Sequence, residues 1–133
     1  MNKNILVIGT LALDSIQTPS LDSGVILGGA ATYISFAISK ISNKFGIVSV
    51  VGDDFPLEYL NRIKSTGADI SGVEIIKNKQ SFFWSGRYHV DINKRTTIDT
   101  KLGVLENFNP IIPKKFTDSN IVVLGNLHPS VQN

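Results

Sequence analysis

The sequence has 133 residues, a length that accommodates one domain. Hydrophobic residues make up 42% and charged residues 18%, which excludes a disordered polyelectrolyte. A net charge of +2 without a basic stripe gives no indication of nucleic-acid binding. Cysteine is absent, which excludes disulfides and thiolate nucleophiles. No apolar run approaches the roughly 18 residues of a membrane span, and the first one is too short for a signal peptide. We therefore expect a soluble, cytoplasmic protein without membrane or nucleic-acid partners.

The first half of the chain alternates between predicted strands and helices. Continuous apolar runs at Ile5–Gly9 and Ile47–Val51 are typical of strands buried on both faces of a parallel sheet. Turn residues precede a second short strand at Val25–Leu27. Helices are predicted over about 30–43, with the apolar stripe Ala31, Ile34, Ile38 and Ile41, and from Pro56 to before Gly67, with Leu57, Leu60 and Ile63 facing the core. This order is typical of a doubly wound α/β fold.

The second half changes to a period of two. Even positions from 82 to 90 are mainly apolar and odd positions mainly polar, which predicts a two-faced strand that returns over 95–104. We expect a small antiparallel sheet there, joined by Val25–Leu27 and by Val73–Ile76. Ile121–Gly125 is a third strand of the buried type. The predicted fold class is α/β, a partial doubly wound parallel sheet with a small antiparallel β-sheet.

These pieces, taken in order, resemble the amino-terminal part of the ribokinase-like (PfkB) carbohydrate kinases. The matching residues are the first strand with Asp14 after it, Leu27-Gly28-Gly29-Ala30 before a helix, Val51-Gly52-Asp53-Asp54 before the next helix, and the β-rich segment that ends in Ile121–Gly125. The resemblance covers nearly the whole chain. It implies that residues 1–133 form the amino-terminal part of a ribokinase-like domain, with lid segments at about 11–27 and 73–104.

The resemblance also implies a function. Members of this family phosphorylate sugars, sugar acids or nucleosides with ATP and Mg²⁺, and their substrate contacts carry over to Asp14, Gly28 and Gly29. Physical chemistry supports this placement, because a carboxylate at the carboxyl end of a strand accepts strong hydrogen bonds from hydroxyls. Glycines allow close approach of the backbone, and the N–H groups of a helix N-terminus favour oxygen-rich ligands. Each residue also has a plain structural interpretation, in which Asp14 caps a turn, Gly28-Gly29 form a bend and Gly52-Asp53-Asp54 start a helix.

Two departures from the family pattern limit the prediction. Tyr33 stands where family members commonly carry an Asn that contacts substrate hydroxyls, so we expect a substrate of altered shape or stacking. The Gly-Ala-Gly-Asp motif, which supplies the anion hole and the catalytic base, is absent from the sequence, as is the ATP-binding half. We therefore expect the base downstream of Asn133, no ATP or Mg²⁺ bound by this chain alone, and no kinase activity from these residues alone.

Other chemistry is less well supported. No dinucleotide, Walker-type or nucleophile-elbow motif is present, and His89 and His128 lack acidic neighbours at metal-ligand spacing. Arg87, opposite the aromatic face of the predicted hairpin, is a candidate for binding a carboxylate or hydroxyls of the substrate if the polar face looks inward; a solvated arginine is the plainer interpretation. An exposed aromatic stripe favours a homodimer through the lid.

Three hypotheses follow. The first is a carbohydrate kinase, of which this chain carries the sugar-binding part and the lid. The second is a non-catalytic module that binds sugar or oligomerises through the lid. The third is a resemblance in fold alone, which would leave every candidate residue with a structural role only.

Overall fold

A computed structural model describes residues 4–133, which form two four-stranded sheets. The first sheet contains β1 (Ile5–Ile8), β4 (Phe45–Gly52), β5 (Ala68–Ile76) and β8 (Ile121–Leu124). The second contains β2 (Ala12–Gln17), β3 (Asp22–Gly28), β6 (Phe82–Tyr88) and β7 (Arg95–Lys101). The helices are α1 (Ala30–Ile38), α2 (Leu57–Lys64) and the short α3 (Pro129–Gln132), with 3₁₀ turns at Gly103–Leu105 and Lys114–Phe116. None of these helices has the length and apolar character needed to cross a membrane.

The parallel sheet has the order β5-β4-β1-β8 and holds the core. Every residue of β1 and β4 is buried, as their continuous apolar runs predict. On one face Val7, Ile47 and Val51 pack with α1 and α2. On the other face Val104, Phe108 and Phe116, from the segment after β7, cover the same strands. Burial of each such side chain stabilises the fold by about 1.5–3 kcal/mol. The predicted α/β class is confirmed.

The two main helices occur where the pattern predicts them, with corrections at their ends. Helix α1 ends at Ile38, five residues before the predicted end, and Ile41 is 83% exposed beyond it. In α2 the core face consists of Leu60 and Ile63, whereas Leu57 is 70% exposed. A helix turns by about 100° per residue, so positions 57 and 63 lie about 120° apart around its axis and only one of them faces the core.

The second sheet differs from the predicted one in three ways. The hairpin of β6 with β7 is antiparallel and β3 contains Val25–Leu27, as expected. However, β2 was not predicted as a strand, and it pairs parallel with β6, so that the sheet is mixed rather than antiparallel. The placement of Val73–Ile76 in this sheet is wrong, because these residues continue β5 along the edge of the parallel sheet and pair with β4.

Strand β8 occurs where predicted but is not buried on both faces. It pairs with β1 on one side and has no second partner strand among residues 4–133. Its side chains Ile121, Val122 and Leu124 are 37%, 53% and 44% exposed. An apolar run predicts a strand, but burial also requires elements that cover it.

Candidate functional site

A pocket of about 530 Å³ lies between the carboxyl ends of the parallel strands and the second sheet. Strand β1 is flanked by β4 and β8, and the chain reaches these two neighbours in opposite directions across the sheet. In open α/β sheets, ligands bind in the crevice at such a switch point. The volume is that of a small-molecule site. The polar and aromatic side chains that line it include those of Asp14, Tyr33, Trp84, Tyr88, Arg95 and Asn126.

Asp14 is the acidic residue of this pocket. It lies in the middle of β2, between Ile26 of β3 and Trp84 of β6. Its carboxylate is half-buried and accepts no hydrogen bond from the residues that the structure describes. Burial raises the pKa of the Asp14 carboxyl, because desolvation disfavours the charged form. A half-buried carboxylate without protein donors is suited to donors that arrive with a ligand.

The glycine pair has two separate roles. At Gly28 a Cβ would overlap the carboxylate of Asp14, so the missing side chain is what allows that carboxylate to lie against β3. Gly29 has φ +95° and precedes α1, and a Cβ there would overlap the carbonyl oxygen of Thr10. Gly29 thus forms the bend from strand to helix, as its structural interpretation predicts, and it also lines the pocket.

The start of α1 is already occupied by protein acceptors. The N–H of Ala30 donates to Oγ1 of Thr10 at 3.0 Å, and the N–H of Ala31 donates to the Thr10 carbonyl at 2.9 Å. The expectation that these N–H groups face the ligand is therefore wrong for the first two residues of the helix. Threonine takes the place of a side-chain N-cap, which α1 lacks at Gly29.

Tyr33 lies on α1 with its side chain in the pocket lining and 57% exposed. Within residues 4–133 its hydroxyl has no hydrogen-bond partner, and the residue lines the pocket together with Asp14. A phenol offers one donor, one acceptor site and an apolar ring, in contrast to the amide common in the resembled family.

The structure does not bring Arg87 to the pocket. Its guanidinium donates to Oε1 of Gln17 at 3.2 and 3.1 Å, and neither residue lines the pocket. The aromatic face of β6, with Phe82, Trp84 and Tyr88, looks into the pocket instead. The hypothesis about Arg87 required the polar face to look inward, and the opposite arrangement holds.

Arg95 and Asn126 are among the pocket residues that were not identified from the sequence. Arg95 begins β7 opposite Tyr88, which places it on the aromatic face of the sheet. Asn126 follows Gly125 at the carboxyl end of β8, beside Thr10 at the end of β1. The signal for Asn126 was available, because polar residues directly after parallel strands gather at one edge of a sheet.

The Gly52-Asp53-Asp54 turn joins the two sheets. Asp54 Oδ1 accepts hydrogen bonds from the N–H and the Oγ of Ser81, at 2.8 and 2.7 Å. Ser81 Oγ in turn accepts from the N–H of Gly52 at 2.9 Å, and Asp53 accepts from the N–H of Asn78. These bonds fix the segment that leads from β5 to β6. The structural interpretation of this motif is therefore the better supported one.

The histidines also serve local structure. His89 Nε2 lies 2.8 Å from Oγ1 of Thr96, and His128 caps α3 by accepting from the N–H of Ser130. Across residues 4–133, no three His, Cys, Asp or Glu side chains cluster so as to hold a metal ion. The described residues therefore offer no fit for Mg²⁺, and we assign no step to it.

The comparisons with known proteins agree with this architecture. A cytidine kinase from Thermococcus kodakarensis is 28% identical over 130 residues, which are 97% of this chain and 45% of that protein. A ribokinase from Cryptococcus neoformans in complex with ADP superposes with a TM-score of 0.77 at 15% identity, covering 98% of this chain and 44% of its own. A nucleoside kinase from Methanocaldococcus jannaschii gives 0.74 at 21%, covering 97% and 46%. No family model matches the sequence.

The chain thus has the ribokinase-like fold, and the resemblance to the amino-terminal part of these kinases is confirmed. It spans less than half the length of each of these proteins.

Proposed function

We propose that this chain carries the substrate-binding part of a kinase that transfers a phosphoryl group from ATP to a hydroxyl of a sugar or nucleoside. The similar proteins are a cytidine kinase, a ribokinase and a nucleoside kinase, and each name refers to ribose or to a nucleoside. The proposed acceptor is therefore a hydroxyl of a ribose-like polyol.

The observation that carries this proposal is the carboxylate of Asp14. It is half-buried, lacks protein donors within residues 4–133 and lines the pocket at the switch point of the sheet. A carboxylate oxygen that accepts two hydroxyl hydrogen bonds binds a vicinal diol in a defined orientation, and such charge-assisted bonds are about twice as strong as neutral ones. Asp14 would thus orient the acceptor.

The pocket walls would supply the other contributions. Tyr33 and Asn126 line the pocket with polar groups, and the aromatic face of β6 would help to exclude water around a bound substrate. Exclusion of water strengthens the hydrogen bonds to the substrate and protects the transferred group from hydrolysis. The second sheet would in this way act as a lid over the bound polyol.

ATP supplies the phosphoryl group in this proposal, but the described residues provide no site for it. The sequence contains no Gly-rich phosphate loop with a lysine and no Gly-Ala-Gly-Asp motif. The base and the nucleotide site are proposed to lie outside these 133 residues, and the chain alone is proposed to bind its acceptor without phosphorylating it.

Binding and turnover test the proposal separately. Isothermal titration of the protein with D-ribose and with cytidine should give saturable binding that Asp14→Asn lowers more than tenfold. Incubation with ATP, Mg²⁺ and either compound should yield no phosphorylated product. Absence of binding to any polyol would overturn the proposal, and product formation by this chain would overturn the assignment of the catalytic base.

A homodimer through the second sheet remains a separate prediction. The aromatic residues expected to mediate it face the pocket rather than the outside of the sheet, which weakens the argument for this patch. Sedimentation at high protein concentration would decide the oligomeric state.

A further inference from the structure

Thr10 carries a hydroxyl proton for which the fold supplies no acceptor. The residue is 5% exposed, and its Oγ1 accepts a hydrogen bond from the N–H of Ala30 at 3.0 Å. Among residues 4–133 no acceptor takes the proton of this hydroxyl. A threonine hydroxyl donates one hydrogen bond besides those that it accepts. Since capping α1 uses only a lone pair of Thr10, the donor remains free for another partner.

Two other buried hydroxyls, both in α1, show the usual arrangement. Thr32 Oγ1 donates to the carbonyl of Gly28 at 2.7 Å. Ser35 Oγ donates to the carbonyl of Ala31 at 2.6 Å. Buried donors are normally paired in this way, because an unpaired donor loses its bond to water without a replacement. Thr10 departs from this rule, so its proton needs an acceptor that comes from outside the fold.

Thr10 lies where a ligand can supply that acceptor. It follows Gly9 at the carboxyl end of β1 and lines the same pocket as Asp14. It also lines a neighbouring cavity of about 370 Å³, which shares Phe82 and Asn126 with the first pocket. Thr10 is thus part of the boundary between the two cavities, next to the space in which the polyol would be bound.

The hydroxyl of Thr10 and the carboxylate of Asp14 are complementary towards a polyol. A carboxylate only accepts hydrogen bonds, so it binds the protons of ligand hydroxyls. The proton of Thr10 binds the other part of a hydroxyl group, the lone pairs of its oxygen. The N–H of Ala30 fixes and polarises the Thr10 hydroxyl, and hydrogen bonds in such a chain strengthen one another. A polyol that contacts both residues connects the backbone N–H to the carboxylate.

We propose that Thr10 is a further substrate-binding residue, whose hydroxyl donates a hydrogen bond to a hydroxyl oxygen of the polyol bound by Asp14. This inference rests on the proposed function and adds a specificity-determining contact to the same site. The contact favours a substrate with an oxygen at one defined position over the analogue that lacks this oxygen. A hydrogen bond of this kind contributes about three- to tenfold in affinity.

Thr10→Val tests the contact, because valine has nearly the same shape as threonine and no hydroxyl. Methyl β-D-ribofuranoside should bind this variant about three- to tenfold more weakly than the wild type in calorimetric titrations. Thr10→Ser keeps the donor and should bind within twofold of the wild type. Ser35→Ala is the control, because it removes a buried hydroxyl that does not line the pocket. Unchanged affinity in Thr10→Val would overturn the contact.

Deoxy analogues separate the contact with the ligand from the capping of α1. A lost cap would weaken the binding of every ligand by the same factor, whereas a lost hydrogen bond affects only ligands that carry its acceptor. The methyl riboside has three hydroxyls, at positions 2, 3 and 5. We expect one of the three corresponding deoxy analogues to bind the wild type and Thr10→Val equally. An equal loss for the riboside and all three analogues would assign Thr10 to capping alone and contradict the proposal.

The outcomes distinguish this inference from the proposed function. Binding of the riboside that depends on Asp14 but not on Thr10 overturns the Thr10 contact and leaves the polyol site standing. Failure of the riboside and of D-ribose to bind overturns the proposed function, and the contact with it. If circular dichroism shows that Thr10→Val is unfolded, Thr10→Cys replaces it with the same expected results, because a thiol is only a weak donor.

Discussion

The carboxylate of Asp14 occupies the space that a side chain at Gly28 would fill. The two residues lie on the paired strands β2 and β3, and a Cβ at Gly28 would overlap Oδ2 of Asp14. The Asp14 carboxylate and the first glycine of the Gly28-Gly29 pair are therefore one unit, because the glycine leaves room for the carboxylate. This relationship explains why a glycine that does not itself line the pocket belongs to the site.

Gly28→Ala should therefore displace the carboxylate of Asp14 from its position against β3. We expect the affinity for cytidine or ribose to fall more than tenfold, with a loss of about 1–3 kcal/mol in the free energy of unfolding from the steric conflict. Gly9→Ala is a suitable control, because its Cβ would meet its neighbours at 3.4 Å, an ordinary contact distance. Unchanged affinity in Gly28→Ala, measured by calorimetry, would show that Asp14 does not bind the ligand.

Asp14→Asn should raise stability while it lowers binding. Burial raises the folded-state pKa of Asp14 above its ordinary value of 3.8, so the charged form is disfavoured in the folded protein. Protonation of the Asp14 carboxyl therefore stabilises the folded protein. This contribution is complete below pH 3.8 and is lost as the pH rises through the folded-state pKa. At pH 7 the neutral amide should thus give a melting temperature equal to or above that of the wild type. A clearly lower melting temperature would mean that the carboxylate has stabilising partners.

Arg95 and Arg87 form a matched pair on opposite faces of one sheet. Arg95→Ala removes a guanidinium from the pocket lining and should raise the dissociation constant for cytidine about threefold or more, because hydrogen bonds to ligand hydroxyls are lost. Arg87→Ala removes only the bond to Gln17, outside the pocket, and should leave that constant unchanged. The reverse result would restore Arg87 as the substrate contact and require the polar face of β6 to look inward.

Ser81 is the residue on which the connection between the sheets depends. It is 1% exposed, donates twice to Asp54 and accepts from Gly52. Ser81→Ala leaves the buried N–H of Gly52 without its acceptor, which should lower the free energy of unfolding by about 1–3 kcal/mol. Ser65→Ala, at the exposed end of α2, should change it by less than about 0.5 kcal/mol. Urea titrations of the two variants compare these values, and equal effects would contradict the account.

The pair of Asp69 and Lys115 should make the free energy of unfolding depend on pH in the acidic range. Partial burial alone would raise the pKa of Asp69, but hydrogen bonds from Lys115 and Ser71 outweigh it and lower the pKa to about 2. The lowered pKa means that this contribution to stability is present above pH 3.8 and is lost as the pH falls towards 2. Both side chains are about half exposed, so it should stay below about 1 kcal/mol. Lys115→Met should reduce the slope of stability against pH in this interval, and an unchanged slope would show that the pair contributes nothing.

The sequence predicted β1, β4 and β8 because these strands of the parallel sheet are continuous apolar runs, whereas β5 is not such a run and part of it was assigned to the other sheet. It missed β2 because Ala12–Gln17 carries Asp, Ser and Gln, and the Asp14 carboxylate interrupts the apolar pattern of a strand. Periodicity separated the two faces of β6, but the side of the sheet that faces the pocket is set by packing between elements. That is why Arg87 was selected and Arg95 was overlooked.

The central claim is that the Asp14 carboxylate accepts hydroxyl hydrogen bonds from a bound polyol, and its own titration tests this most directly. Nuclear magnetic resonance of a selectively labelled protein gives the pKa of the Asp14 carboxyl with and without saturating cytidine. Hydrogen bonds to the charged form favour it, so the account predicts that cytidine lowers this pKa from its raised value. A pKa that stays the same, or rises, while cytidine is bound would contradict the account.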